Sequence, residues 1–133
     1  MADSVIAQTY SNWELILVNS TPDYDGLSDL VSEYVTADSR ITATDLEGNL
    51  GITENTNVGI KMAKGDYLCF FDHDDVLEPN ILFEYAHALN QNSDINLLYC
   101  DEDKLLPDGS LAHPTFKPDF SLDMARDNNY ICH

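Results

Sequence analysis

Basic residues are what this chain has least of: 6 Lys and Arg stand against 24 Asp and Glu, a formal net charge of −18. Nucleic acids and anionic membrane surfaces are recognised through basic patches, so neither is the expected partner. Cysteine is scarce too. Cys69, Cys100 and Cys132 are odd in number, widely spaced and form no C-x-x-C, which indicates neither a disulfide framework nor a zinc site. Cys69 and Cys100 stand in apolar strand contexts, the setting of reduced, buried thiols in a cytosolic protein. No apolar run approaches the length of a membrane-crossing helix, and no basic stretch followed by an apolar one opens the chain. A soluble, cytoplasmic domain is the expectation, with attachment to the inner face of a membrane left open for regions outside residues 1–133.

What is present suits a folded protein. A length of 133 residues with 44% hydrophobic content implies a single domain over residues 1–133 with a core of ordinary size. The chain is organised around residues 65–79. Residues 67–71 (Tyr67-Leu68-Cys69-Phe70-Phe71) form a short continuous apolar run, the pattern of a strand buried on both faces of a parallel sheet. Asp72, His73, Asp74 and Asp75 follow at its carboxyl end, where ligands of open α/β sheets bind. Unit charges about 4 Å apart near a surface repel by roughly 4 kcal/mol, so the cluster is costly unless it shares a cation. Hard oxygen donors of this kind suit Mg²⁺ or Mn²⁺. The plainer reading is helix capping, since Asp75 with Glu78 fits an N-cap and first turn ahead of Pro79. His73 reads as a spacer or a supporting hydrogen-bond donor, because hard divalent ions prefer oxygen.

Around that stretch, strand and helix patterns alternate. Residues 3–8 look like the last turns of a helix. Strands are predicted over residues 13–19, 41–44 and 95–100, each ending in polar or acidic residues. Leu27, Leu30, Val31 and Tyr34 recur at helical spacing with Ser28, Asp29, Ser32 and Glu33 outward. Thr53 or Asn55 can cap a helix carrying Val58, Ile60 and Ala63. Gly59 in that helix costs about 1 kcal/mol against Ala, which implies close packing on the sheet. Ile81, Leu82, Tyr85, Ala86 and Leu89 make the next helix, with Pro79 near its first position. Residues 106–110 signal a tight turn, and residues 113–118, with Pro114 and Pro118, an extended surface loop. Ser121 to Arg126 reads as a short helix, and residues 128–133 as the start of a further element. The fold class is therefore α/β, a mostly parallel open sheet with helices on both faces.

Several segments in register resemble the nucleotide-sugar-binding part of a family 2 glycosyltransferase of GT-A, Rossmann-like fold. They are residues 4–15, Gly51-Ile52 with Asn57-Val58-Gly59-Ile60, residues 63–67, the D-x-D region at residues 71–79, and two segments typical of a bacterial subgroup, residues 99–104 and 116–121. The resemblance covers nearly the whole chain. It implies inverting transfer of a sugar from a nucleotide-diphosphate donor to a glycan acceptor, as in cell-surface polysaccharide synthesis. A Mn²⁺ or Mg²⁺ ion would bridge Asp74 and the diphosphate, with Asp72 on the ribose or a metal-bound water, and Asn57 and His73 completing the nucleotide-sugar contacts. A carboxylate base for the acceptor hydroxyl is also required, and Asp101, Glu102 and Asp103 are the candidates for it.

The chain departs from the family pattern in three places. The family's opening strand is expected to be missing before residue 3, Asn19-Ser20-Thr21 stand where acids usually touch the base, and the acceptor-binding part is expected to lie outside residues 1–133. Open sheet edges of this kind favour strand exchange or a homodimer, and the isolated 133 residues are expected to be inactive. Other readings are a truncated domain that binds nucleotide or metal without turnover, and a receiver-like signalling domain, whose acids would follow the first strand rather than a middle one. A haloacid-dehalogenase type fits Val76 but not the position of the motif in the chain.

Overall fold

In the computed structural model, which describes residues 1–131, the elements follow in the order α1 (Ala2–Ile6), β1 (Leu15–Asn19), α2 (Leu27–Ala37), β2 (Ile41–Asp45), α3 (Ile52–Met62) and α4 (Ile81–Gln91). After them come β3 (Glu102–Leu105), β4 (Leu111–Thr115) and α5 (Leu122–Asp127). The chain divides into two units. The first holds Met1–Cys69 and His73–Phe83, and the second Phe70–Asp72 and the residues from Glu84 onward.

In the first unit β1 and β2 pair in parallel, Leu15 opposite Ile41 through Asn19 opposite Asp45. Parallel neighbours need a crossover, and α2 supplies it. Leu27, Val31 and Tyr34 turn its half-buried face inward, at the spacing of one helical stripe, while Leu30, expected in the same stripe, is exposed. Successive strand residues face opposite sides of a sheet. Val18 meets α3, where a Cβ built on Gly59 would lie 3.3 Å from Val18 Cγ2, and Asn19 meets α2 through Ser28 Oγ at 3.4 Å. Helices therefore cover both faces, and the close approach expected at Gly59 is present. Ser28, expected to face outward, is half-buried in that contact.

The Arg40 guanidinium fixes the approach to both strands. It stacks over the Trp13 ring at 3.6 Å, donates to the Ser11 carbonyl at 3.2 Å, and pairs with Asp38 at 2.6 Å. The Arg40 hydrogen bond holds the Asp38 carboxyl below its ordinary 3.8, at about 2. A depressed carboxyl stabilises the fold above its unfolded pKa and loses that contribution as pH falls through the folded one. The melting-temperature gap between the wild type and Asp38→Asn is thus expected to be constant above pH 4 and to close between the ordinary 3.8 and about 2. A gap that persists unchanged at pH 2 would refute the pairing.

Four expectations are corrected. Residues 67–71 and 95–100 lie in no ladder, because a strand exists only beside a partner: β1 pairs with β2, β3 with β4, and no described strand precedes β1. None of their apolar side chains is fully buried: Tyr67 at 55%, Leu68, Phe70 at 61% and Leu97 are exposed, Phe71, Ile95 and Leu98 are half-buried, and Cys69 is exposed and Cys100 half-buried rather than enclosed. Cys132 and His133 lie outside the described residues. The core is also small. Among the described residues the buried apolar side chains are Ala2, Val5 and Ile41, the last with 2% exposure. Third, α3 is not capped by Thr53 or Asn55. Gly51 is its N-cap, and Asn55 reaches back from inside the helix, accepting from Leu50 N and donating to Asn49.

The fourth correction is in the second unit, where residues 113–115 of the loop expected over 113–118 belong to a strand, β4. β3 and β4 make an antiparallel hairpin closed by the expected turn, in which Gly109 takes φ +82° as a left-handed position requires. Pro114 is tolerated because the ladder shifts register between Glu102 and Lys104, and His113 adopts φ 54° at this irregularity. Beyond the hairpin, Ser121 caps α5 by accepting from Met124 N. Tyr99 donates to the Pro118 carbonyl at 2.7 Å, and its ring meets Tyr130 edge-on at 6.1 Å.

Candidate functional site

The acidic segment is a loop held at two places in the first unit. Upstream, the turn out of α3 is fixed by Glu14, whose Oε1 accepts from Lys64 N at 2.6 Å and Gly65 N at 2.9 Å. Downstream, α1 and the residues after it grip the stretch before α4. Ser4 Oγ accepts from Leu77 N at 3.1 Å, Gln8 Nε2 donates to the Glu78 carbonyl at 2.8 Å, and Thr9 N donates to the Pro79 carbonyl at 2.8 Å. Gln8 Oε1 also accepts from Leu82 N at 3.1 Å, in the first turn of α4. The helix thus has one of its orphan N–H groups satisfied by a residue 74 positions away. That overturns the capping reading of the acids: α4 starts at Ile81, so Asp75 stands too far ahead of it to serve as the N-cap.

Between the two grips, Asp72, His73 and Asp74 are exposed and Asp75 is half-buried. His73 and Asp74 belong to the first unit and Asp72 to the second. Asn57 is half-buried in the middle of α3. Sequence reasoning missed what lies at the carboxyl ends of the parallel strands. There Asn19, nearly buried, donates to Asp45 Oδ1 at 2.8 Å and accepts from Thr21 N at 3.0 Å. The register of β1 against β2 was the signal: it sets Asn19 opposite Asp45. The concavities along α2, lined by Leu30, Glu33, Tyr34 and Ala37, hold none of the predicted site residues.

In the second unit the three later acids separate by role. Asp101 Oδ1 accepts from Lys117 N at 2.7 Å. Glu102 Oε2 lies 2.8 Å from Lys117 Nζ, which also donates to the Ile131 carbonyl at 3.0 Å. Glu102 Oε2 is buried and finds no aligned hydrogen bond, so its contact with Lys117 is one of charge. Asp103 is exposed on β3.

Among the described residues, no group of three or more His, Cys, Asp or Glu side chains is placed to hold a metal by protein donors alone. Mg²⁺ and Mn²⁺ sites of the phosphate-transfer kind do not need one. They take one or two carboxylates and complete the shell with water and phosphate oxygens. Asp74 is an exposed oxygen donor of that type, so it fits such an ion.

The chain matches the model of Glycosyl transferase family 2 over residues 1–109, and it belongs to that family. Its α/β fold, with a parallel pair of strands and flanking helices, is that of a GT-A family 2 domain. It is similar to the O-antigen biosynthesis protein RfbC of Myxococcus xanthus, 34% identical over 130 residues that cover 98% of this chain and 10% of that protein. Uncharacterized protein y4gI of Sinorhizobium fredii is 33% identical over 133 residues, 100% of this chain and 15% of that protein. Uncharacterized glycosyltransferase EpsJ of Bacillus subtilis is 36% identical over 91 residues, 68% of this chain and 26% of that one. The chain thus spans a small part of the relatives it matches. Among the described residues no helix is long and apolar enough to cross a membrane.

Proposed function

We propose that the protein carrying this chain transfers a sugar, with inversion, from a nucleoside-diphosphate donor to a glycan acceptor in surface-polysaccharide synthesis, working at the cytoplasmic side of a membrane. The observation that carries this is the acidic loop of a family 2 chain held at both ends, by Glu14 on one side and by Ser4 and Gln8 on the other. Such a loop presents exposed carboxylates on a fixed frame rather than as a loose tail.

In this reading Asp74 is the principal ligand of a Mn²⁺ or Mg²⁺ ion, Asp72 is the second oxygen donor or a ribose contact, and Asn57 and His73 touch the nucleotide-sugar. The ion, when bound, neutralises the charge that grows on the leaving diphosphate. Inversion requires a base for the acceptor hydroxyl. Glu102 is paired with Lys117 Nζ and Asp101 accepts only from the Lys117 backbone N–H, so the exposed carboxylates Asp101 and Asp103 are the ones open to that role within these residues.

The test is release of nucleoside diphosphate by the full-length protein across a panel of nucleotide sugars. Turnover is expected with one donor, to fall to background in EDTA, and to return on adding Mn²⁺ or Mg²⁺. Turnover that EDTA leaves intact would remove the metal from the mechanism, and none with any donor would remove sugar transfer.

A further inference from the structure

We propose that Gln8, assisted by Ser4, is a positioning residue for Asp74: the amide of Gln8 registers the segment that follows Asp74 on α1. This rests on the function proposed above. Gln8 is 8% exposed, and its amide uses both N–H donors and one lone pair of its oxygen. Nε2 donates to the carbonyls of Glu78 at 2.8 Å and Ser4 at 3.1 Å, while Oε1 accepts from Leu82 N at 3.1 Å. One side chain therefore joins the end of α1, the stretch before α4 and the first turn of α4. Ser4 adds a bond to Leu77 N, and Leu77 is three residues after Asp74.

The chemistry of the site explains why a glutamine suits this place. Asp74 is exposed, so no burial of its own side chain holds it. Its direction depends on the backbone on either side, and downstream that backbone is pinned by Ser4, Gln8 and Thr9. A buried polar network that is fully satisfied fixes one geometry, and a partly satisfied one does not. Methionine would fill the same volume and make none of the three bonds. Glutamate would still accept from Leu82 N, but its ionised carboxylate would face two carbonyl oxygens. The folded state would then favour the protonated acid, whose O–H can donate to one of those carbonyls. Relative to wild type, Gln8→Glu is thus most stable below the ordinary glutamate value of about 4.3 and loses ground as pH rises.

The experiment uses the full-length protein in five forms: wild type, Gln8→Met, Gln8→Glu, Ser4→Ala, and Ile41→Val as a core control of reduced stability away from the loop. Binding of Mn²⁺ in the presence of UDP is read by electron paramagnetic resonance, and hydrogen exchange of peptides spanning residues 76–84 by mass spectrometry. Gln8→Met is expected to bind Mn²⁺ about tenfold more weakly and to exchange faster across residues 77–82, Ser4→Ala to bind about threefold more weakly, and the control to match wild type within about twofold. Gln8→Glu should recover toward wild-type binding as pH falls, each compared at the same pH. Should Gln8→Met prove too unstable to purify, Ser4→Ala decides alone, since it deletes one hydroxyl. Wild-type binding with unaffected variants overturns the positioning role and leaves the proposed function standing. A wild type that binds no Mn²⁺ with UDP overturns the metal role of Asp74 and the positioning role with it, while turnover across the donor panel still decides sugar transfer.

Discussion

Replacing Asp74 with Asn is expected to lower nucleotide-sugar turnover by about 10²–10³-fold, the cost of losing one group that stabilises charge developing in the transition state. The substitution keeps the shape of the side chain and removes its charge. Because Asp74 is exposed, the melting temperature should stay close to that of wild type. Asp66→Asn is the control. It changes an exposed acid before the apolar run and should leave turnover within about twofold, as for a surface substitution away from the chemistry. Raising the Mn²⁺ concentration should recover part of the lost rate in Asp74→Asn, since a weakened ligand set is filled by mass action. Equal turnover in the two variants would show that the D-x-D carboxylate is not what the reaction uses.

Ile41→Ala should destabilise the protein by about 2–5 kcal/mol, the range for truncating a buried large aliphatic side chain. Ile41 opens β2 opposite Leu15 and has 2% exposure, among very few enclosed apolar side chains of the described residues. A domain has only about 5–15 kcal/mol of stability to lose. Urea denaturation followed by circular dichroism gives the midpoint, and a shift worth less than about 1 kcal/mol would mean that the first unit is not centred on this residue.

The elements that were legible in the sequence are those set by neighbours in the chain. The stripe of Leu27, Val31 and Tyr34, the hydroxyl of Ser121 at α5, and Asp108-Gly109 in the hairpin turn each carry their own local instruction. Residues 67–71 and 95–100 were misread for the opposite reason. Their apolar content says strand, but a strand also needs a second backbone, and that information is not in the segment itself. The site divides in the same way. Asp72 and Asp74 stand out as a motif, whereas the groups that hold their loop, Glu14 and Gln8, act across 50 to 74 positions and look like ordinary surface residues near a strand or helix end. The engagement of Asp101 and Glu102 with Lys117 was equally invisible, because it depends on how the hairpin folds back.

Lys117 has a consequence of its own. Its side chain is 3% exposed, with the amine closed in by Glu102 and the Ile131 carbonyl. An acetyl donor or an aldehyde can reach that nitrogen only after this part of the chain has parted, so the speed at which Lys117 is labelled is set by how often the second unit breathes rather than by the reagent.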